Sequence, residues 1–235
     1  MDEAKLRENL QRVEERIRGA RERSGRDHEV AIVAVTKGHP VQAVRAALAV
    51  GLRRCGENRV AELDEKVGEI GRTAAEWHLI GHLQRNKVRR ALQLFDLIHS
   101  IDSLRLASEL SDEAERTGSR VRGLVQVSVS GEETKGGFEG TESLEPVVEE
   151  IRQVAGKPGL DLRGLMTMAP YTDDERILRD TFRRARTLFE MCGREIDGFT
   201  AEYLSMGMSN DFEIAVEEGS TMVRLGTTLF GERLS

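Results

Sequence analysis

The sequence predicts a single (β/α)8 barrel with an extra helix at its N-terminal end, and three observations predict it. Eight short apolar runs alternate with helix-period segments across 235 residues, near the lower typical size for that barrel. The runs are continuously apolar rather than alternating, as parallel strands covered on both faces are. No GxGxxG turn follows any of them, which places the runner-up, a doubly wound open sheet, behind the barrel. No Pro- or Ser-rich linker divides the chain and it has only 4 prolines. Residues 1–235 therefore read as one domain, with residues 1–25 forming the extra helix.

The elements follow in order. Leu6, Leu10, Val13 and Ile17 recur at helical spacing and mark one inward stripe on a charged surface helix from Asp2 to about Arg23. Val30–Val35 is the first strand. Pro40 opens a helix in its first turn, Val41, Val44 and Leu48 face inward, and Gly51 closes it. Arg53–Gly56 is the second strand. The helix from about Glu57 turns Val60, Leu63, Val67 and Ile70 inward and stops at Gly71. Glu76–Ile80 is the third strand, followed by a polar helix from about Gln84 to Leu94. Asp96–Ile101 is the fourth; Ser103 then caps a helix through Arg116 that Gly118 stops. Val121–Val129 is the fifth and longest, followed by the loop SGEETKGG and a helix from Thr141 to Val154. Leu162–Met168 is the sixth, and Thr172-Asp173-Asp174-Glu175 is a capping box for a helix to about Met191. Leu204–Gly231 supplies the last two short strands, with a Gly/Ser turn and a short helix between them and a Gly226-Thr227-Thr228 turn at the end.

Composition bounds the function. Hydrophobic residues are 39% and charged residues 32%, so the chain is a soluble globular protein with a core to bury. Aromatics are only 4%, so that core is aliphatic. A net charge of -6, from 35 basic and 41 acidic residues, argues against general nucleic-acid binding, which needs a positive field. No run approaches the roughly 18 apolar residues of a membrane span, and the polar start MDEAKLRENL is not a signal peptide. Cys55 and Cys192 stand alone without metal spacing, which predicts reduced core thiols in a cytoplasmic protein.

Three features carry chemistry. Lys37 follows six apolar residues at a strand's C-terminal end, where such barrels place their reactive groups. Partial burial there would lower a lysine pKa and make the amine a nucleophile. Ser209 begins the short helix after the seventh strand, and Gly226-Thr227 follows the eighth. Helix-start N–H groups and a glycine turn suit a phosphate. Arg224 stands between Val223 and Leu225, where a charge is costly unless paired; a barrel ion pair is the plain alternative. Asn58, at the end of the second strand, either caps the next helix or touches a ligand. An amine at one strand tip and an anion-binding turn nearby suit a phosphorylated aldehyde, which points to pyridoxal 5′-phosphate held as a Schiff base. His39, His78, His82 and His99 lie on separate segments and form no metal set; His78 reads as a barrel-core or pocket-wall residue. Arg85, Lys87, Arg89 and Arg90 read as a solvated helix face.

The chain resembles the pyridoxal phosphate homeostasis protein family. The matching pieces are AIVAVTK, CGENRVAEL, EWHLIGHLQRNK, IHSIDS, VQVSVSGEETKGG, RGLMTMAP and LSMGMSNDFEIAVEEGSTMVRLGTTLFGER, spread from residue 31 to residue 233. The resemblance implies a barrel similar to the cofactor domain of alanine racemase. It implies the Schiff-base lysine at Lys37, a cofactor-contacting asparagine at Asn58, phosphate contacts from Ser209, Gly226 and Thr227, and an arginine near the pyridine nitrogen at Arg224. Met166 is expected in the same pocket. Gly38-His39-Pro40 after the lysine and Gly81-His82-Leu83-Gln84-Arg85-Asn86-Lys87, where the family commonly reads GPLQSNK, are departures at the rim.

The expected function is intracellular pyridoxal phosphate homeostasis without turnover, by a monomer whose partners are the cofactor and pyridoxal-phosphate-dependent apoenzymes. An arginine at the ring nitrogen weakens the cofactor as an electron sink. Neither Tyr171 nor Tyr203 matches the context of the tyrosine base that alanine racemases draw from a second domain, and the chain ends soon after Gly231. A pyridoxal-phosphate-dependent racemase or lyase is the main alternative, and a class I aldolase-like barrel acting on a sugar phosphate through Lys37 is the third.

Overall fold

A computed structural model describes residues 3–130 and 136–232. The strands are β1 (Ala31–Val35), β2 (Arg54–Glu57), β3 (Glu76–Leu79), β4 (Leu97–Ile101), β5 (Val121–Ser128), β6 (Phe138–Glu139), β7 (Leu160–Met166), β8 (Phe199–Ser205) and β9 (Met222–Leu225). The helices are α1 (Glu3–Ser24), α2 (Val41–Ala49), α3 (Val60–Ile70), α4 (Val88–Leu94), α5 (Leu104–Thr117), α6 (Glu145–Ala155), α7 (Glu175–Glu195), α8 (Phe212–Glu217) and α9 (Thr227–Phe230). The order β4-β3-β2-β1-β9-β8-β7-β5 is parallel throughout, and β4 pairs with β5 to close it. That is the predicted barrel. Its closing seam sets Ile98 beside Gly123 and Ile101 beside Val125. A side chain at Gly123 would sit 2.4 Å from Ile101 Cδ1, so the Ile101 side chain packs into the space that this glycine leaves at the seam.

The apolar residues sort into three layers. One lies between barrel and helices around Trp77, Phe182 and Leu188. A second fills the barrel with Val33, Leu97, Leu124, Met166 and Met222, each from a different strand. The third joins α1 to α2, α8 and α9 through Leu6, Leu10, Val13 and Ile17, the predicted stripe, together with Ala20, Phe212 and Phe230. Both cysteines are free and buried. No described helix is long and apolar enough to cross a membrane.

Several boundaries differ from the sequence reading for local reasons. Pro40 is the residue before α2, extended at φ -67 and ψ 166, rather than its first helical residue. The polar helix from Gln84 splits into a 3-10 turn over Arg85–Lys87 and then α4. Residues 131–135 of the SGEETKGG loop lie outside the described residues. Beyond them, Phe138–Glu139 pairs with β5 as a ninth strand too short to leave a period in the sequence. Helix α6 therefore begins at Glu145, not Thr141, and the Gly140 and Thr141 carbonyls accept hydrogen bonds from Arg184 instead. Asp174, not Thr172, caps α7 by accepting from the Arg176 N–H. Ser103 and Gly118 bound α5 as expected.

Candidate functional site

The C-terminal strand tips surround a cleft of about 940 Å³ whose walls include Lys37, Asn58, Ser209, Arg224, Gly226 and Thr227. Lys37, Asn58, Ser209, Arg224, Gly226 and Thr227 thus meet in one place, delivered by β1, β2, β8 and β9. Met166 does not join them: it is buried among the barrel-filling side chains, and Met168 and Gln126 line the cleft from that side. Asn58 approaches the tip of β3 so closely that a side chain at Gly81 would lie 2.6 Å from its carbonyl oxygen.

The turn carrying Lys37 is clamped from beneath by charges that apolar periodicity could not reveal. Thr36 Oγ1 donates to Glu57 Oε1 at 2.5 Å. The buried Lys66 ammonium donates to Glu57 Oε1 at 2.6 Å, to Glu62 Oε1 at 2.9 Å and to the Thr36 carbonyl at 2.9 Å. The Gly38 N–H completes the clamp on Glu62 at 2.6 Å. Burial raises Glu57 to about 7 against the pull of Lys66. Glu62 feels burial too, but hydrogen bonds from Lys66 and Gly38 hold it below its ordinary value. The signal available in the sequence was Glu62 and Lys66, four apart on α3 with a charge on the inward side.

Arg224 is buried in the cleft wall. Its Nη1 donates to the Ser205 carbonyl and hydroxyl, both at 2.8 Å, and its Nη2 to the Thr167 carbonyl at 3.0 Å. These partners are neutral oxygens, so the ion-pair alternative is not what holds it. Burial lowers its pKa to about 10, with Asp211 acting in the opposite sense. The guanidinium thus stays protonated at neutral pH. Behind Ser205 lie two fully buried imidazoles. His99 Nδ1 is 3.1 Å from the Ser205 hydroxyl and His99 Nε2 is 2.9 Å from His78 Nδ1. Burial lowers both pKa values, that of His99 most strongly, so both rings are neutral. His78 is therefore a core residue, as expected. Among the described residues no group of His, Cys, Asp or Glu could hold a metal ion.

The turns after β8 and β9 are stitched together. Ser209 Oγ accepts from the Thr228 N–H at 3.2 Å, and Thr228 Oγ1 donates to the Ser209 carbonyl at 3.4 Å. Ser209 does not cap α8; Asp211 precedes that helix, and its Oδ1 accepts from the Met208 N–H at 2.6 Å. Gly207 sits at φ 92, with no room for a Cβ against Ala215, so the chain can reverse there only with glycine. In the first turn of α9 the Leu229 and Phe230 N–H groups donate to the Gly226 carbonyl at 3.0 and 2.8 Å. Around the mouth stand His82, with Nδ1 2.8 Å from Asp102 Oδ2, and Tyr171, which is 92% exposed. Tyr203 instead packs against the barrel-filling cluster.

A barrel whose cleft is built in this way matches the family model for the alanine racemase N-terminal domain over residues 6–234. The chain is 42% identical over 96% of its length to the pyridoxal phosphate homeostasis protein of Aquifex aeolicus, covering 97% of that protein. It is 38% identical to its Escherichia coli K12 counterpart, over 96% of this chain and 95% of that one. This chain belongs to the pyridoxal phosphate homeostasis protein family. A solved structure of PipY from Synechococcus elongatus with pyridoxal phosphate bound superposes with a TM-score of 0.82 at 35% identity, over 96% of this chain and all of that one. A Clostridium difficile alanine racemase shares the fold at a TM-score of 0.75 and 19% identity; this chain spans 58% of its length.

Proposed function

We propose that this chain binds pyridoxal 5′-phosphate, holds its aldehyde as a Schiff base on Lys37, and serves intracellular supply of the cofactor without turnover of its own. The observation that carries this reading is the convergence of Lys37, Asn58, Ser209, Arg224, Gly226 and Thr227 on one cleft from four strand tips. The cleft fits the group chemically. It has an amine at one side, a buried guanidinium held by neutral oxygens in the wall, and two stitched turns with hydroxyl and N–H donors for a phosphate. The cofactor, when bound, supplies an electrophilic aldehyde conjugated to an electron-withdrawing ring.

The residues have distinct tasks. The clamp on Thr36 and Gly38 holds the Lys37 turn in place. Ser209, Thr227 and the Gly226 N–H would hold the phosphate end. Arg224, being charged, would hold the ring-nitrogen end by donating a hydrogen bond and would disfavour protonation there, which would keep the ring a weak electron sink. Asn58 would contact the cofactor from the cleft wall. The same arrangement would leave the held aldehyde open to exchange with other amines, and pyridoxal-phosphate-dependent apoenzymes are the proposed recipients. A cytoplasmic monomer is the proposed working form.

Reduction of the cofactor-loaded protein with borohydride tests the assignment. The fixed adduct is expected on Lys37 by mass spectrometry, and a Lys37→Ala variant is expected to lose the visible absorbance band. An adduct on another lysine refutes the assignment, as does a Lys37→Ala protein that keeps the band.

A further inference from the structure

The barrel interior of a mostly aliphatic protein contains a polar thread whose last link, from His78 to Glu76, is a charge contact and not a hydrogen bond. It starts at Arg224 in the cleft wall, passes through the Ser205 hydroxyl at 2.8 Å, His99 at 3.1 Å and His78 at 2.9 Å, and ends where His78 Nε2 lies 3.3 Å from Glu76 Oε1. Ser205, His99 and His78 are buried, and Arg224 is 5% exposed. Glu76 opens β3 at the end opposite the cleft, and its side chain is 29% exposed. There it pairs with Arg54 at 3.1 Å and, more loosely, with Arg122 at 3.9 Å.

Donor and acceptor counting gives the thread a direction. The Glu76 carboxylate can only accept, so the proton of the neutral His78 ring sits on the Nε2 that faces it, a skewed electrostatic approach rather than an aligned hydrogen bond. His78 Nδ1 is then bare and accepts from His99 Nε2–H. That leaves His99 Nδ1 bare, and the Ser205 hydroxyl, which accepts from Arg224, donates to it. The reversed thread would set a bare His78 nitrogen against the carboxylate in a dry interior, which is costly. The apolar alternative at these positions would be simpler, so the thread calls for a reason.

We propose that Glu76, His78, His99 and Ser205 form a one-way donor relay that orients Arg224 and couples the ring end of the bound cofactor to a carboxylate on the far side of the barrel. They are positioning residues, acting through Arg224. The coupling to the cofactor rests on the pyridoxal phosphate reading of the cleft; the relay itself does not. Glu76 is the anion at the end of the relay; Arg54 and Arg122 bear on it, Arg54 and Asp96 also bear on His78, and Asp211 bears on Arg224. Polarised hydrogen bonds in series carry that anion's influence inward.

The relay is tested first in the ligand-free protein. Ring nitrogen NMR is expected to show His78 and His99 as neutral Nε2–H tautomers at every pH between about 6 and about 8. An Nδ1–H tautomer or a charged ring on either overturns the relay. Pyridoxal phosphate is then titrated into the parent, Ser205→Ala, His99→Gln, Glu76→Gln and the Ser205→Ala/Glu76→Gln double variant. Ser205→Ala and His99→Gln are expected to weaken binding about 3- to 10-fold and to shift the visible absorbance maximum in one direction. Glu76→Gln is expected to do less, in the same direction. The double variant is expected to match Ser205→Ala alone, because a broken relay transmits nothing from Glu76. Unchanged absorbance and affinity with lowered melting temperatures overturns the coupling, as does additivity in the double variant. A parent with the expected tautomers and no visible band refutes the cofactor reading instead, a distinct failure.

Discussion

Glu57 shows how much a single side chain at the back of the site can reveal. Burial raises it from its ordinary 4.5 to about 7, so the folded state holds a proton that the unfolded state has lost. A raised folded pKa means that this group's contribution is fully present below about 4.5 and is lost as pH rises through about 7. The parent is therefore expected to lose more stability than Glu57→Gln between pH about 5 and about 8, by roughly 1–2 kcal/mol. Denaturant midpoints of both proteins at the two pH values check this, and equal losses would show that Lys66 keeps Glu57 ionised throughout. The same residues mark the boundary of what the sequence revealed. Lys37 was legible because six apolar residues precede it. Glu57 was not, and the four-residue spacing of Glu62 and Lys66 was the only trace of the clamp, because a charged residue reads as surface until its buried partner is seen. Met166 was misplaced by two residues: the alternation that turns Met166 into the barrel filling turns Met168 to the cleft.

Among the elements, α8 is the one whose placement decides the geometry of the Ser209 turn, and it is too short to hold itself. Six residues make barely two turns. Its hold comes from neighbours: Arg179 on α7 reaches Glu217 at 2.5 Å and Glu218 at 2.9 Å, Arg183 reaches Glu218 at 3.0 Å, and Arg23 on α1 reaches Glu217 at 2.6 Å. The Arg179 pairs are the shielded ones, with both partners largely out of solvent, whereas Arg23 and Arg183 are exposed and their pairs carry the modest worth of surface ion pairs. Glu218→Ala is expected to cost about 1–3 kcal/mol in thermal or denaturant unfolding and to weaken binding of pyridoxal phosphate more than that of pyridoxal. An undiminished phosphate preference would show that α8 does not set the turn. Helix starts were predictable where a side-chain cap does the work, as at Ser103. They slipped where tertiary contacts intervene, as at Thr141, whose carbonyl Arg184 takes.

For the whole molecule, the barrel was legible because continuous apolar runs and helical stripes alternate along nearly its full length. The ninth strand was not, since two residues paired to β5 have no period of their own. The proposed division of the cleft makes a global prediction. If the stitched turns take the phosphate, pyridoxal phosphate at 100 times its dissociation constant adds about 2.7 kcal/mol to the native state, and pyridoxal at equal concentration adds much less. Thermal melts with each ligand decide it; equal stabilisation excludes the turns. Turnover is expected to be negligible: exchange of the α-deuteron of L-alanine at or above about 1 per second would restore the racemase reading.

The pairing of β1 with β9 gives the fold a temporal character. Val33 sits beside Arg224, and Asn9 on α1 reaches the Leu229 carbonyl, 220 positions away along the chain. Contacts of such long range form late, since the entropy of closing the intervening loop precedes any reward. The cleft lies on that same join, with Lys37 on one side and Gly226 and Thr227 on the other. A molecule gripping both sides acts as a reversible cross-link between the earliest and latest parts of the barrel. It would therefore slow the opening of the finished protein far more than it would hasten its assembly.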